Sequence, residues 1–331
     1  MKRPALLAAI VIVLVGVMPL SAYLKLGTRV QTRIANLKWE DFPIRYLVTD
    51  RGAPQVSAPQ FQAAVTRAFT TWTAVETAEL SSEFVGFTSA NPSSGDNVTV
   101  LGFLNRPDLD RVLGATNFFI DTTTGEIVES DIFFNTAVPW SVDSAGVTGR
   151  HDLESIAVHE IGHLLGLGHS SVGETEIMPG GRRVLGAESV MFPIAFAAGT
   201  THDRTLKADD IAGITDIYPT SDSRRELGSI SGKVTKNGQG VLGAHLIAFN
   251  PTTGKLVGGF TLNEDGSFTI AGLEPGAHVL RVEPLDDGDI ESFFDPSLDI
   301  DVDFRVRFHD KVVVVPVGGG VRDVAIAVTP K

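Results

Sequence analysis

The chain of 331 residues contains no cysteine. This absence excludes disulfide bonds, a thiolate nucleophile, a cysteine-ligated zinc and a lipid-anchored cysteine, and it leaves the redox compartment open. Positive charge is also scarce, because 27 Lys and Arg stand against 40 Asp and Glu, for a formal net charge of −13. Such a balance argues against a nucleic-acid partner and favours a freely diffusing protein.

An unbroken apolar run occupies residues 5–18, after the basic pair Lys2 and Arg3. The run is short for a membrane span and leads into Ser21 and Ala22, so residues 1–22 are predicted to be a secretory signal peptide. An uncleaved amino-terminal anchor is the alternative, because Leu20 stands where cleavage prefers a small residue. In both cases we expect the remaining chain to be secreted or extracytoplasmic.

The most informative stretch is HEIGHLLGLGH, which begins at His159. His159 and His163 are four residues apart, so on a helix they share one face and both can reach one metal ion. Glu160 can reach a water in the metal's open position, which predicts a general base. Gly166 can adopt a positive φ, end the helix and let His169 complete a three-histidine site. Three nitrogen ligands and one open position are typical of a catalytic zinc.

A buried amphipathic helix with incidental histidines is the alternative interpretation of this stretch. Its apolar stripe would consist of Ile156, Val158, Ile161, Leu164 and Leu165. Under either interpretation these side chains belong to the core, and in a metal site they would hold the ligands rigid.

The histidine motif resembles that of the metzincin metallopeptidases, and Ser170 after the third histidine resembles the matrixin branch. The resemblance implies that Met191 forms the methionine turn, an apolar floor beneath the histidines, with Met178 as the alternative. Phe192 and Pro193 would then wall the pocket for the substrate side chain after the cut, which implies a weak preference for apolar residues.

The same resemblance implies a substrate-binding edge strand around Leu113, Gly114 and Ala115, where a peptide would pair as an extra strand. Many matrixins also carry a structural zinc on neighbouring strands. The corresponding positions hold Thr116 and Phe133, which cannot ligate zinc, so we expect a single catalytic zinc.

Calcium is a second candidate ion, because the family often binds it near the acidic residues Asp121, Glu126, Glu129 and Asp131. A solvated acidic hairpin is the alternative. Residues 23–38 form a leader that is too short for a folded inhibitory propeptide. Without cysteine, the chain also lacks the zinc-binding propeptide thiol that silences many matrixins.

Residues 39–219 are predicted to form an α+β metzincin-type domain with a mixed twisted sheet and three helices. Strands are predicted at 43–49, 84–88, 97–103, 112–120 and 126–135, and helices at 57–79, 152–165 and 206–218. We expect residues 171–189 to form a surface loop over the cleft that helps to select substrates, with a plain flexible loop as the alternative. We also expect structural roles for Asp209 and Asp210 near the methionine turn, and solvated side chains for His151 and His202.

Residues 220–228 are polar and predict a linker. From residue 229 to 331, short alternating segments separated by turns such as Asn237-Gly238 and Asp265-Gly266 predict a small all-β sandwich. The segment resembles the carboxypeptidase regulatory-like domain, which has a prealbumin or immunoglobulin-like fold. His245, His278 and His309 are scattered singly, so no metal is assigned there. Stabilising the peptidase, or docking it to a partner or a surface, are the roles left open.

Together these features predict a secreted or externally anchored zinc endopeptidase that acts on protein or peptide substrates, with Glu160 as general base. The alternative is a catalytically silent, zinc-containing extracellular binding protein that acts through its β-sandwich. The intact Glu160 weighs against it, because a pure binding site needs no base. Hydrolysis of a non-peptide bond is disfavoured by the methionine turn and the edge strand.

Overall fold

The computed structural model describes residues 25–30, 33–92, 95–109, 112–179 and 181–331. The segment 1–22, predicted as a signal peptide or anchor, lies outside these residues. Within the described ranges, no helix has the length and apolar character needed to cross a membrane.

The predicted leader packs against the following domain. It contains an antiparallel hairpin of β1 (Gly27–Val30) and β2 (Arg33–Asn36). Leu26 and Leu37 are buried in one apolar cluster with Phe118, Ile120 and Ile127. The backbone N–H of Leu26 also donates to the carbonyl of Gly166 at 2.9 Å, so this segment reaches the turn that follows the histidine helix.

A mixed five-stranded sheet forms the frame of the next domain, as the sequence predicts. The strand order is β4-β3-β5-β7-β6, in which only the β6–β7 pair is antiparallel and β6 lies at the edge. The elements are β3 (Ile44–Thr49), α1 (Ala58–Thr73), β4 (Ser82–Thr88), β5 (Thr99–Leu104), β6 (Gly114–Ile120), β7 (Ile127–Asn135), β8 (Trp140–Ser141), β9 (His151–Asp152), α2 (Leu153–Leu164), β10 (Gly173–Met178), β11 (Gly181–Ala187) and α3 (Ala208–Ile217).

Helix α1 buries its apolar stripe against the sheet and α2, and it begins with a capping box between Ser57 and Gln60. It ends at Thr73, six residues before the predicted end. The chain turns after Ala74, and the N–H of Glu79 donates to the carbonyl of Tyr218 beyond α3 at 2.7 Å. The helical apolar spacing continues past the end because Val75 and Ala78 join the same core from a turn.

Residues 171–189 do not form the predicted surface loop. They contain the antiparallel hairpin β10–β11, in which Met178 pairs with Gly181. Strand-forming residues such as Thr175, Ile177 and Val184 explain the extended conformation.

The carboxyl-terminal part is an all-β unit of two sheets, preceded by the short helix α4 (Ser223–Glu226) within the predicted linker. One sheet pairs β12 with β13, β16 and, in parallel, β20; the other pairs β14 with β15 and β17, and β17 with β18 and β19. The strands are β12 (Gly228–Lys236), β13 (Gln239–Gly240), β14 (His245–Phe249), β15 (Leu256–Phe260), β16 (Ser267–Leu273), β17 (Gly276–Glu283), β18 (Arg307–Phe308), β19 (Val313–Val315) and β20 (Gly320–Val328).

The β-sandwich packs on α3 of the first domain. The Asp209 carboxylate accepts a hydrogen bond from the N–H of Gly258 in β15 at 2.7 Å. Gly272 approaches Ala212 so closely that a Cβ at position 272 would lie 2.9 Å from the Ala212 carbonyl oxygen. Polar and close-packed contacts therefore fix the two domains together.

Candidate metal centre and cleft

The helix that carries the first two histidines is fixed at both ends. At its start, the Asp152 carboxylate accepts from the N–H of Ser155 at 2.9 Å and pairs with Arg204 at 2.6 Å. At its end, Gly166 has φ +97°, and a Cβ there would lie 2.3 Å from the carbonyl oxygen of Leu37. Glycine is therefore required where the chain turns back towards His169.

The three histidines of the motif converge. The Nε2 atom of His163 lies 3.1 Å from Nε2 of His159 and 3.2 Å from Nε2 of His169. Tetrahedral zinc with Zn–N distances of about 2.0–2.1 Å would place its nitrogen ligands about 3.3 Å apart. The donor set and its spacing therefore fit one zinc ion, and this trio is the His/Asp/Glu cluster with metal-ligand spacing found among the described residues.

Each histidine uses its other ring nitrogen to donate to a backbone carbonyl, which fixes the tautomer that leaves Nε2 free to bind metal. The acceptors are the carbonyls of Val190 for His159 (2.7 Å), Leu167 for His163 (2.8 Å) and Ser292 for His169 (2.6 Å). Burial lowers the pKa of all three rings, that of His159 to about 3. The rings are therefore neutral, the state that a metal ligand needs.

Glu160 is buried beside the edge strand. The Thr116 hydroxyl in β6 donates to Oε2 of Glu160 at 2.7 Å and to its backbone carbonyl at 3.0 Å. Burial raises the pKa of Glu160 to about 7, and the Thr116 hydrogen bond opposes that rise. A carboxylate with this pKa can accept a proton and return it near neutral pH. The sequence analysis noted Thr116 only because it stands where many matrixins have a zinc-binding histidine. Its contact with Glu160 depends on β6 packing beside α2, which the sequence alone does not show.

Met191 lies beneath the histidine helix and is 2% exposed. A Cβ at Gly162 would lie 2.2 Å from the Met191 sulfur and 2.8 Å from the Trp72 ring, so the three groups are in close contact. Met178, the alternative, is 44% exposed in the β10–β11 hairpin. Of the two methionines, Met191 has the position that an apolar floor requires.

Asp210 holds the turn around Met191, as expected for one member of the acidic pair. Its carboxylate accepts hydrogen bonds from Ser189 Oγ (2.5 Å) and from the N–H groups of Val190 (3.0 Å), Met191 (3.3 Å) and Lys207 (2.8 Å). Burial, followed by the charge of Asp209, raises the pKa of Asp210 to about 7 against these hydrogen bonds. Asp209 accepts hydrogen bonds from Ser170 and Ser189 near the same turn and also from the N–H of Gly258 in the sandwich.

The candidate cleft brings together all of the predicted substrate-contacting residues. Leu113, Gly114 and Ala115 line one side, and Phe192 and Pro193 the other. Two further walls come from the β10–β11 hairpin, which the sequence predicted only as a loop over the cleft, and from the sandwich, which sequence reasoning missed. These contributors are Ile177, Met178, Arg182, Asp289 and Ser292.

His151 is half-buried and lines the cleft beside Ser155 and Asp203, so the prediction of a solvated side chain is wrong. Burial lowers its pKa. Burial also raises the pKa of Asp203 to about 6, and its Oδ1 is buried without a hydrogen-bond partner. His202 is exposed.

Two of the four carboxylates considered for calcium point inwards, so the picture of a solvated acidic hairpin is wrong for them. Glu129 is 1% exposed and Asp131 is 0% exposed. The Glu129 carboxylate accepts from the N–H of Asn97, and that of Asp131 accepts from the N–H of Val100 at 2.7 Å. Both side chains satisfy backbone donors near β5.

A helix-borne histidine pair, a third histidine after a glycine turn, an adjacent glutamate and a methionine floor together define the class of the metal-dependent peptidases. The chain belongs to the matrixin family, whose sequence model matches residues 38–219.

Related proteins carry the same assignment in their names. Metalloendoproteinase 2-MMP of Arabidopsis thaliana is 34% identical over 158 residues, which cover 46% of this chain and 35% of the relative. Metalloendoproteinase 1 of Glycine max is 30% identical over 171 residues, covering 48% and 45%. Matrix metalloproteinase-16 of Homo sapiens is 28% identical over 190 residues, covering 56% and 28%. The chain thus spans less than half the length of each relative.

Proposed function

We propose that this protein is a zinc-dependent endopeptidase with His159, His163 and His169 as ligands and Glu160 as general base. The observation that carries the proposal is the convergence of three Nε2 atoms beside a buried carboxylate at the floor of an open cleft. Membership of the matrixin family and the names of its relatives support peptide bonds as the substrate class.

Bound zinc would lower the pKa of a water to about 7 and polarise the scissile carbonyl. Glu160 would accept a proton from the attacking water and return it to the leaving amine. The Thr116 hydroxyl donates a hydrogen bond to Oε2 of Glu160 and so fixes the rotation of the carboxylate. A substrate backbone pairs with the edge of β6. Gly114 in this strand leaves room for the Glu160 carboxylate, because a Cβ there would lie 3.1 Å from Glu160 Oε1.

The amino-terminal sequence supports placing this activity outside the cytoplasm, in a protein that is secreted or anchored at the membrane's outer face. The two-sheet architecture is compatible with a carboxypeptidase regulatory-like domain, and we include that assignment in the proposal.

The test combines metal analysis with digestion. We expect one zinc per chain by mass spectrometry and casein cleavage that a chelator abolishes. Zinc without cleavage would favour the silent binding protein, and no zinc after zinc-replete purification would reject the three-histidine site.

A variant separates binding from chemistry. Glu160→Gln should retain about one zinc per chain and lose cleavage by at least about 100-fold, because the base is removed while the ligands remain. Glu188→Gln is the control, since Glu188 is exposed, and it should cleave normally. Substantial cleavage by Glu160→Gln would remove Glu160 from its assigned role.

A further inference from the structure

The third histidine is held by the other domain. Nδ1 of His169 lies 2.6 Å from the carbonyl oxygen of Ser292, which is 123 residues further along the chain. Ser292 ends the short 3-10 turn Ile290–Ser292 in the connection between β17 and β18. We call residues 285–294 of this connection the rim loop. The hydrogen bond that orients this histidine is thus accepted by a backbone carbonyl outside the histidine motif.

Polar contacts fix the rim loop to the β10–β11 hairpin. The N–H of Thr175 donates to the Asp287 carboxylate and its hydroxyl donates to the Asp287 carbonyl, both at 2.8 Å. The Arg182 guanidinium donates to the Asp286 carbonyl at 2.8 Å and lies 3.3 Å from the Asp289 carboxylate. The Thr175 bonds to Asp287 are partly buried, whereas the Asp289 side chain is 74% exposed, so the Arg182–Asp289 ion pair itself contributes little.

Apolar contacts fix the other side of the loop to the sandwich. Phe293 and Phe294 are 6% and 3% exposed and pack in one cluster with Phe260, Leu285 and Ile300. The Phe293 ring also lies edge-on to the His169 ring, with centroids 6.3 Å apart. The carbonyl of Ser292 is therefore held between a hydrogen-bonded side and a packed side, and its position is determined by the hairpin and the sandwich together.

We propose that the rim loop is a working part of the metal centre, in which the Ser292 carbonyl positions His169 and thereby raises the affinity of the site for zinc. A carbonyl that accepts the second ring N–H of a metal-bound histidine fixes its orientation and increases its basicity. Losing such a partner typically weakens metal binding by about 10- to 100-fold. Under this proposal the sandwich is part of the metal site, because it supplies the carbonyl that orients His169.

The rim loop also forms part of the cleft wall through Asp289 and Ser292. A change in the loop therefore acts in two ways, on the metal through His169 and on the substrate through the wall. Measuring zinc affinity isolates the effect on the metal, because the measurement uses no substrate. The inference rests on the metal site of the proposed function but not on the identity of the bond that is cleaved.

The experiment uses the full chain and weakens the attachment of the loop to the hairpin without touching His169; the Thr175 hydroxyl bond to the Asp287 carbonyl remains. The double variant Arg182→Ala, Asp287→Ala removes the guanidinium and carboxylate contacts described above. We expect its zinc dissociation constant, measured by competition with a chelating dye, to rise by about 10-fold or more. Arg183→Ala is the matched control, because Arg183 neighbours Arg182 but pairs with Glu176 within the hairpin; its zinc affinity should be unchanged.

A second measurement on the unaltered protein covers the case in which the double variant does not fold. In the zinc-loaded form, the Nδ1–H of His169 should give a slowly exchanging proton signal, hydrogen-bonded to a carbonyl. A folded double variant with zinc affinity within about two-fold of the parent, or a His169 ring proton exchanging at the rate of a free imidazole, would overturn the proposal. If the parent binds zinc and digests no protein, the peptidase function fails while this test of the rim loop still stands.

Discussion

The first and third histidines of the candidate metal centre donate the same kind of hydrogen bond to different parts of the molecule. His159 donates to Val190, whose turn is held by Asp210 within the matrixin domain. His169 donates to Ser292 of the sandwich. One support is formed by segments 20 to 31 residues apart along the chain, and the other spans 123 residues. The rigidity of a three-ligand site is thus divided between two domains.

His163 belongs with the first of these regions. Its acceptor, the Leu167 carbonyl, lies in the turn that begins at Gly166. The amino-terminal segment closes on the same turn, because the N–H of Leu26 donates to Gly166 and Lys25 pairs with Asp216. Mutations inside the matrixin domain should therefore destabilise its fold and disturb His159 and His163, whereas mutations in the rim loop should affect His169 alone.

The largest effect should follow from Asp210→Ala, which removes the support of the His159 side. Four donors would lose their buried acceptor, at about 1–3 kcal/mol for each that stays unsatisfied. After relaxation and access of water we expect a total loss of about 3–5 kcal/mol in the free energy of unfolding, measured by denaturant titration.

The control for this variant is Asp222→Ala, because Asp222 pairs with Arg225 on the surface with 70% of its side chain exposed. The change at 222 should cost less than about 0.5 kcal/mol. A similarly small loss for Asp210→Ala would show that the methionine turn holds its shape without this carboxylate.

The packing beneath the helix provides the next test. Gly162→Ala would place a methyl group 2.2 Å from the Met191 sulfur, and we expect overpacking to cost about 1–3 kcal/mol in stability. Gly186→Ala is the matched control in the exposed hairpin, where a Cβ would meet nothing within 4 Å. Equal melting temperatures for the two variants would contradict the close contact of the helix with its floor.

The sequence predicted those parts of the site whose geometry depends on short spacing. The four-residue interval places His159 and His163 on one face of a helix, and Gly166 allows the turn that brings His169 to them. The arrangement of the three histidines therefore follows from eleven residues. The mixed sheet followed from apolar alternation together with the family resemblance. The histidine geometry lies within one element and the turn after it, whereas the sheet pairs β3 with β5 across α1 and β4, so the strand order depended on the family resemblance.

The contacts that sequence reasoning missed join distant segments. Thr116 reaches Glu160 across 44 residues, and Ser292 reaches His169 across 123. Every residue has a backbone carbonyl, so the sequence does not show which carbonyl will accept a given hydrogen bond. Threonine is frequent in strands of any sheet, so its presence in β6 does not indicate a functional role. The inward-pointing Glu129 and Asp131 were misjudged for a related reason, because nothing local shows that their carboxylates bind backbone donors.

The pH dependence of the free energy of unfolding tests a buried carboxylate of the matrixin domain. Burial raises the pKa of Asp203 in the folded state to about 6, above the value of about 3.9 expected in the unfolded chain. The folded state therefore binds the proton more tightly, and stability falls as pH rises from about 4 to 6. Asp203→Asn should remove about 1–2 kcal/mol of this fall, given that the group is only partly buried. Parallel pH profiles of stability for the variant and its parent would contradict a raised pKa.

The smallest effect should come from the side chain that ties down the amino-terminal segment. Lys25→Met removes the ion pair with Asp216 but keeps the backbone bond from Leu26 to Gly166. Because the Asp216 side chain is 25% exposed, water can replace the lost partner, and we expect a stability loss of about 1 kcal/mol. Zinc affinity should stay at the parent value, since the Leu167 carbonyl keeps its place under His163. Weaker zinc binding by this variant would mean that the lysine, and not the backbone of the segment, supports that ligand, and the two regions would then differ less than their hydrogen bonds indicate.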